Sequence, residues 1–369
     1  MRTDGTVSTQ PQASSPGTAA STGTAASTAA PAVSDAELLG RAAGASRKLH
    51  DAVAARVVGQ EEVIDLMLVA LLARGHALLV GVPGLAKTLL VASLAEALDL
   101  EFGRVQFTPD LLPADITGTD VLQEDEDNQG GVHRRVRFLP GPIFHNLILA
   151  DEINRTPPKT QAALLQAMQE RRVTVGTVTH VLPDPFQVFA TRNPIEQEGT
   201  YPLPEAQLDR FLLEIHVDYP SEDEEREIAR RTTSADVGTV PRVLSANDVR
   251  ALQALVPRIP VTEEAVALAV ALGRATRPRT ARNGADGDGP GVKQVDEYVR
   301  FGAGPRGSQA LVLAAKARAA LRGEAAADVE DVKALVVPVL RHRLVMSYRA
   351  EAEGVRDTDV LERVLESLR

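Results

Sequence analysis

The sequence predicts an α/β fold: a three-layer αβα core on a parallel sheet, followed by an all-α domain. Three observations carry that expectation. Short, mostly apolar runs at 77–80, 146–150, 186–191 and 212–217 and the segment 104–107 read as strands, and segments rich in helix formers lie between them. The first run passes through a glycine-rich turn directly into a helix. Beyond Tyr219 the helical patterns continue and no strand pattern follows.

Composition bounds the rest. The chain has 369 residues, enough for two ordinary domains, and 44% of them are apolar, enough for a sizeable core. There is no cysteine, so disulfides and thiolate metal sites are excluded, in keeping with a reducing compartment. Seven histidines are scattered without paired ligand spacing. The net charge of -10 suggests no large basic face for duplex DNA. No apolar run reaches the roughly 18 residues of a membrane span, and the N-terminus lacks a basic-then-apolar signal pattern. A cytoplasmic protein without membrane insertion is expected.

Residues 1–33 are mostly Ser, Thr, Ala, Gly, Pro and Gln, too poor in large apolar groups to offset the entropy of ordering, and read as a disordered tail. Folded structure is expected from Ser34, an N-cap-like start to a helix. Val58-Gly59-Gln60 then precedes an amphipathic helix carrying Val63, Leu66, Met67, Ala70 and Leu71. Gly59 and Gln60 read either as a plain helix cap or as the lining of an adenine pocket.

The strand at 77–80 runs into Gly81-Val82-Pro83-Gly84-Leu85-Ala86-Lys87-Thr88 and then a helix from Leu89. Strand, glycine loop, Lys-Thr and helix is the context of a phosphate-binding loop. Glycines let backbone N–H groups curl round an anion, and the helix N-terminus adds partial positive charge. Lys87 is expected to reach the β and γ phosphates and Thr88 to ligate Mg²⁺. Ala86 stands where a second glycine is usual; its methyl is tolerable if the residue has helical backbone angles.

After the strand at 104–107, residues 108–142 read as irregular, too long for an ordinary connection and so an insertion. Within it Arg134-Arg135-Val136-Arg137-Phe138 reads as an exposed strand edge or as a contact for an anionic partner. The apolar strand at 146–150 ends in Asp151-Glu152. At the C-terminal edge of an open α/β sheet these carboxylates face the ligand crevice. Asp151 would hold the Mg²⁺ shell and Glu152 would polarise the attacking water as general base. Thr156 is expected to cap the next helix, with Pro157 in its first turn. A β-hairpin at about 172–182 turns at Gly176-Thr177. The strand at 186–191 ends at Arg192-Asn193-Pro194, where Asn193 reads either as a common Asn-Pro turn or as a polar tip that positions water. In the second domain, Ser245 with Asp248 and Thr262 read as helix N-caps. Helices are expected near 308–322, 328–343 and 357–368, with a flexible loop at about 281–292.

Together these motifs resemble AAA+ ATPases, and specifically the MoxR family, over about residues 35–369. Its carriers are the loop at 81–88, Gln106-Phe107-Thr108-Pro109-Asp110-Leu111-Leu112-Pro113, Gly141-Pro142-Ile143-Phe144, Ala150-Asp151-Glu152-Ile153-Asn154-Arg155 and Ala190-Thr191-Arg192-Asn193-Pro194. Leu203-Pro204-Glu205-Ala206-Gln207-Leu208-Asp209-Arg210-Phe211 and Phe301-Gly302-Ala303-Gly304-Pro305-Arg306 complete the set. The resemblance implies a nucleotide-binding core at 34–218 and a helical lid at 219–369. It makes 108–142 an insertion in helix 2 and the 172–182 hairpin the one before sensor 1. It matches Asn193 to sensor 1, Arg210 to the arginine finger and Arg306 to sensor 2, and Ala86 is typical of it. Arg192, where Gln is often seen, and the 283–291 loop depart from the pattern.

The resemblance implies an ATPase, turning ATP and water into ADP and phosphate with Mg²⁺. It would act as a chaperone that remodels or matures protein complexes, often beside a von Willebrand factor A-type partner. A finger acting in trans implies a head-to-tail ring, with a hexamer the expected size. A magnesium-chelatase-like motor subunit and a nucleic-acid motor are the alternatives. The acidic balance and 3% aromatic content weigh against nucleic acid.

Overall fold

The computed structural model describes residues 34–126, 132–195, 199–233, 238–279 and 292–368. The expected tail at 1–33 and nearly all of the loop at 281–292 lie outside the described residues.

Two helices lead in, α1 (Asp35–Ala54) and α2 (Glu61–Leu72). Then come β1 (Ala77–Val80), α3 (Lys87–Ala97) and β2 (Phe102–Gln106). The insertion holds α4 (Pro113–Thr117), β3 (Gly118–Glu126) and β4 (Val132–Pro140). Next are β5 (Leu147–Asp151), α5 (Pro158–Glu170), β6 (Arg172–Val175) and β7 (Val178–Val181). The core closes with β8 (Gln187–Arg192), α6 (Glu205–Leu208) and β9 (Leu213–His216).

β1, β2, β5, β8 and β9 form one parallel sheet in the order β2-β5-β8-β1-β9. Side chains alternate between faces along each strand. Leu79, Leu149, Phe189 and Leu213 therefore join one buried cluster, with α1, α2 and α3. Leu78, Val80, Ile148, Ala150, Val188 and Ala190 join another, with Leu164, Leu165 and Met168 of α5. Burial on both faces explains why these strands read as continuous apolar runs. Phe107, Phe189 and Phe211 are fully buried, and truncating any of them would cost about 3–5 kcal/mol.

The helical domain comprises α7 (Glu222–Thr232), α8 (Ala246–Leu255), α9 (Glu263–Ala275) and α10 (Lys293–Tyr298). A short β10 (Val299–Phe301) precedes α11 (Pro305–Arg322), α12 (Val329–Ala334) and α13 (Val336–Leu340). Then come β11 (Val345–Met346), α14 (Tyr348–Glu353) and α15 (Asp357–Ser367). Ser245 and Thr262 cap their helices as expected, accepting from the N–H groups of Asp248 and Ala265. The described residues from Asp35 onward form one compact unit.

Three expectations are corrected. The insertion is not irregular: β3 and β4 pair antiparallel in unbroken register from Gly118 with Pro140 to Glu126 with Val132. Its alternation is masked because most of its side chains face solvent. The helical domain is not free of strands, since β10 and β11 pair as a small antiparallel ribbon. The α5 cap is Pro157, not Thr156. Thr156 is buried and its hydroxyl donates to the Ile153 carbonyl. The 172–182 hairpin is present as β6 and β7, with Gly176 at φ 58°.

Candidate functional site

The strand order places the crevice. β1 is flanked by β8 and β9, and the next strand in sequence, β2, lies at the far edge beyond β8 and β5. In open α/β sheets ligands bind at the C-terminal ends of strands where connections diverge in this way. The loop after β1, the acid pair after β5 and Asn193 after β8 all fall there.

The loop leaves β1 at Gly81, where a Cβ would lie 2.6 Å from the Val217 carbonyl oxygen. Only a bare Cα lets the chain pass β9 so closely. Gly84 has φ +88°, a region glycine enters without strain. Ala86 has helical angles of the left hand, φ 53° and ψ 21°, as the residue before α3. The expectation of a tolerated methyl assumed ordinary helical angles; the left-handed ones cost an L-residue about 1–2 kcal/mol. Lys87 folds back on the loop, its Nζ donating to the carbonyls of Gly81 at 2.5 Å and Val82 at 2.8 Å. Burial lowers the Lys87 pKa, opposed by the charges of Asp151 and Glu152.

Asp151 ends β5, and Glu152 follows it with φ 58° and ψ 50°, again left-handed. The pair is held by side chains that the sequence reading did not single out. The Thr191 hydroxyl, fully buried on β8, donates to Asp151 Oδ1 at 2.6 Å and accepts from the Glu152 N–H at 2.8 Å. Arg104 donates to Asp151 Oδ2 at 2.7 Å. Gln106 donates to Glu152 Oε2 at 2.8 Å, and Arg155 Nε lies 3.2 Å from the same oxygen. Arg104 and Gln106 are two apart on β2 and so share a face. Only a hydroxyl near the end of a mostly apolar strand, Thr191, and a charge on a strand, Arg104, signalled these roles.

Pro83, Gly84, Leu85, Ala86, Lys87, Thr88, Leu89, Asp151, Glu152 and Asn193 line one pocket of about 480 Å³, together with Arg104 and Thr191. Gly81 and Val82 are not among its lining residues. Asn193 is buried, and its Oδ1 accepts from the Ile195 N–H at 3.1 Å. Gly59, Gln60, Arg210 and Arg306 do not line the pocket. Gly59 and Gln60 have φ 70° and 63°, and Gln60 donates to the Asp218 carbonyl at 3.1 Å. Arg306 lies in the first turn of α11, 3.4 Å from Asp209 Oδ2. Arg210 follows α6, partly exposed and without an ion pair among the described residues.

The donor set suits Mg²⁺. The Thr88 hydroxyl and Asp151 carboxylate, hard oxygen donors, line the same pocket. Among the described residues no group of three or more His, Cys, Asp and Glu could hold a metal. One hydroxyl and one carboxylate match an ion that keeps most of its shell as water and phosphate oxygen.

Residues 76–213 match the family model described as "ATPase family associated with various cellular activities (AAA)", and residues 293–364 match that of the AAA lid domain. The chain is similar to Chaperone MoxR1 of Mycobacterium tuberculosis, 43% identical over 316 residues, 85% of this chain and 78% of that one. It is also similar to YeaC of Bacillus subtilis, 38% identical over 314 residues, 85% of this chain and 91% of the relative. A crystal structure of a candidate ATPase from Cytophaga hutchinsonii superposes with a TM-score of 0.78 at 39% identity, over 90% of this chain and 97% of the other. Similarity runs through both sheet and lid, so the class is that of the AAA+ ATPases. Within it, with MoxR1 aligned along most of both chains, this chain belongs to the MoxR family.

Proposed function

We propose that this protein is a chaperone-like ATPase that hydrolyses ATP with Mg²⁺ to remodel or mature protein complexes. The observation that carries the reading is the meeting of Lys87, Thr88, Asp151 and Glu152 round one pocket at the sheet's C-terminal edge. Lys87 leaves the loop carbonyls to contact the β and γ phosphates. Loop N–H groups and the start of α3 supply the rest of the anion cradle. Thr88 and Asp151 would hold Mg²⁺, which would supply positive charge against the phosphates. Glu152 takes the proton of the attacking water, and Asn193 orients that water. Gly59 and Gln60, outside that pocket, are assigned to the adenine base by the family resemblance alone. Arg306 senses the nucleotide of its own subunit, and Arg210 completes the pocket of a neighbour. That arrangement requires a ring, with a hexamer the expected size, and a von Willebrand factor A-type protein fits as partner.

Two substitutions test the assignment. Lys87→Ala removes the phosphates' charge partner and is expected to abolish ATP binding in calorimetry. Glu152→Gln keeps the shape but cannot accept a proton. It is expected to retain bound ATP while turnover falls about 10²–10⁴-fold. Turnover within about threefold of wild type would make another residue the base.

A further inference from the structure

Arg104 is a cation inside the candidate nucleotide pocket that the reading above does not use. One of its nitrogens, Nη2, donates both to Asp151 Oδ2 and to Gln106 Oε1, each at 2.7 Å. The other Asp151 oxygen is engaged by the fully buried Thr191 hydroxyl, which also holds the Glu152 N–H. Oδ2 is thus the oxygen whose partner can change. The Arg104 side chain is 49% exposed, so it can swing outward without opening a cavity. A guanidinium and a divalent cation beside the same carboxylate repel each other.

Resting on the nucleotide-site reading, we propose that Arg104 is a positioning residue that occupies Asp151 as a resident cation and must be displaced for Mg²⁺ to enter. Gln106 steadies it there as the second acceptor of Nη2. The plainer role, an ion pair that only keeps β2 and β5 in register, predicts no effect on metal affinity.

The experiment measures equilibrium affinity for a fluorescent ADP analogue across a magnesium titration. Wild type, Arg104→Ala and Arg104→Gln are compared, and thermal melting checks their folding. Gln keeps the stem length, so it carries the test if Ala destabilises the strand. Removing the competitor is expected to lower the magnesium midpoint about three- to tenfold, toward the lower end of inter-site couplings because Arg104 is half-exposed. Affinity in chelator should stay within about twofold, since Arg104 is not assigned to the phosphates. Gln106→Ala should shift the midpoint the same way by a smaller factor. An unshifted midpoint in a folded variant would overturn the proposal. So would a large loss of affinity in chelator, which would make Arg104 a phosphate ligand. Wild type that binds no nucleotide would overturn the site reading itself, a result separable from both.

Discussion

Three non-glycine residues assigned to the nucleotide site, Gln60, Ala86 and Glu152, sit in left-handed backbone. Such strain persists only where the surroundings fix it, and it gathers at working sites. Glu152 is held by Thr191 at its N–H and by Gln106 at its carboxylate. Among the described residues no side-chain hydrogen bond holds Ala86, which carries a methyl where glycine would be unstrained. Ala86→Gly is therefore expected to stabilise the protein by about 1 kcal/mol, with nucleotide affinity nearly unchanged. Urea unfolding with a lower midpoint for the variant would show that this backbone is not strained. The loop and the acid pair were legible because their spacing is a pattern. Arg104 and Thr191 were not, because their roles arise from β2 and β8 lying either side of β5, which spacing along the chain does not encode.

Among elements, the core strands were legible and the insertion was not. A strand buried on both faces announces itself by apolar residues alone, as in 77–80 and 147–151. β3 and β4 carry solvent on most positions, and Leu122 and Val136 are exposed within them. The hairpin is anchored instead by Phe138, which stacks on His180 of β7 at 3.9 Å between ring centroids. The cap of α5 was misread because Thr156 faces inward. Element junctions also carry the molecule's pH sensitivity. His76, just before β1, accepts from the Val188 N–H of β8 at 3.0 Å, and its other ring nitrogen lies 3.2 Å from the Met168 carbonyl oxygen of α5. Burial pushes its pKa down to about 4, partly opposed by the Met168 carbonyl and aided by Arg171. The unfolded chain takes this proton near 6.5 and the folded one resists until about 4. Stability is therefore complete above the unfolded value and is lost as pH falls between the two. Buried His342, held at about 3 by burial and Arg343, acts in the same direction. His76 should account for about 2 kcal/mol of stability lost between about pH 7 and pH 5. His76→Asn should flatten urea-midpoint profiles over that range, and an unchanged slope would assign the loss elsewhere.

At the scale of the molecule, the lid is joined to the sheet by buried charge. Glu214 of β9 lies 2.8 Å from His216, 3.6 Å from Arg192 and 3.5 Å from Arg341 of the lid. Burial opposes its ionisation, but the His216 hydrogen bond and the Arg192 charge outweigh that and hold its pKa at about 2. Arg341 also pairs with Asp357 of α15. Asp209 accepts from Arg343 at 2.9 Å and meets Arg306 at 3.4 Å. The residue beside Arg210 is thus tied to the lid arginine proposed to sense nucleotide. Among the described residues no helix is long and apolar enough to cross a membrane. In the proposed ring, a working ATPase site combines Glu152 of one subunit with Arg210 of the next. Arg210→Ala alone should bind nucleotide nearly normally and lose about 10³–10⁵ in rate. The decisive measurement is ATPase activity after mixing Arg210→Ala with Glu152→Gln subunits under conditions where mixed rings are shown to form. Half of the mixed interfaces then carry an intact Glu152 facing an intact Arg210, and activity should recover well above that of either variant. A mixture as inactive as its components would contradict a site shared between subunits.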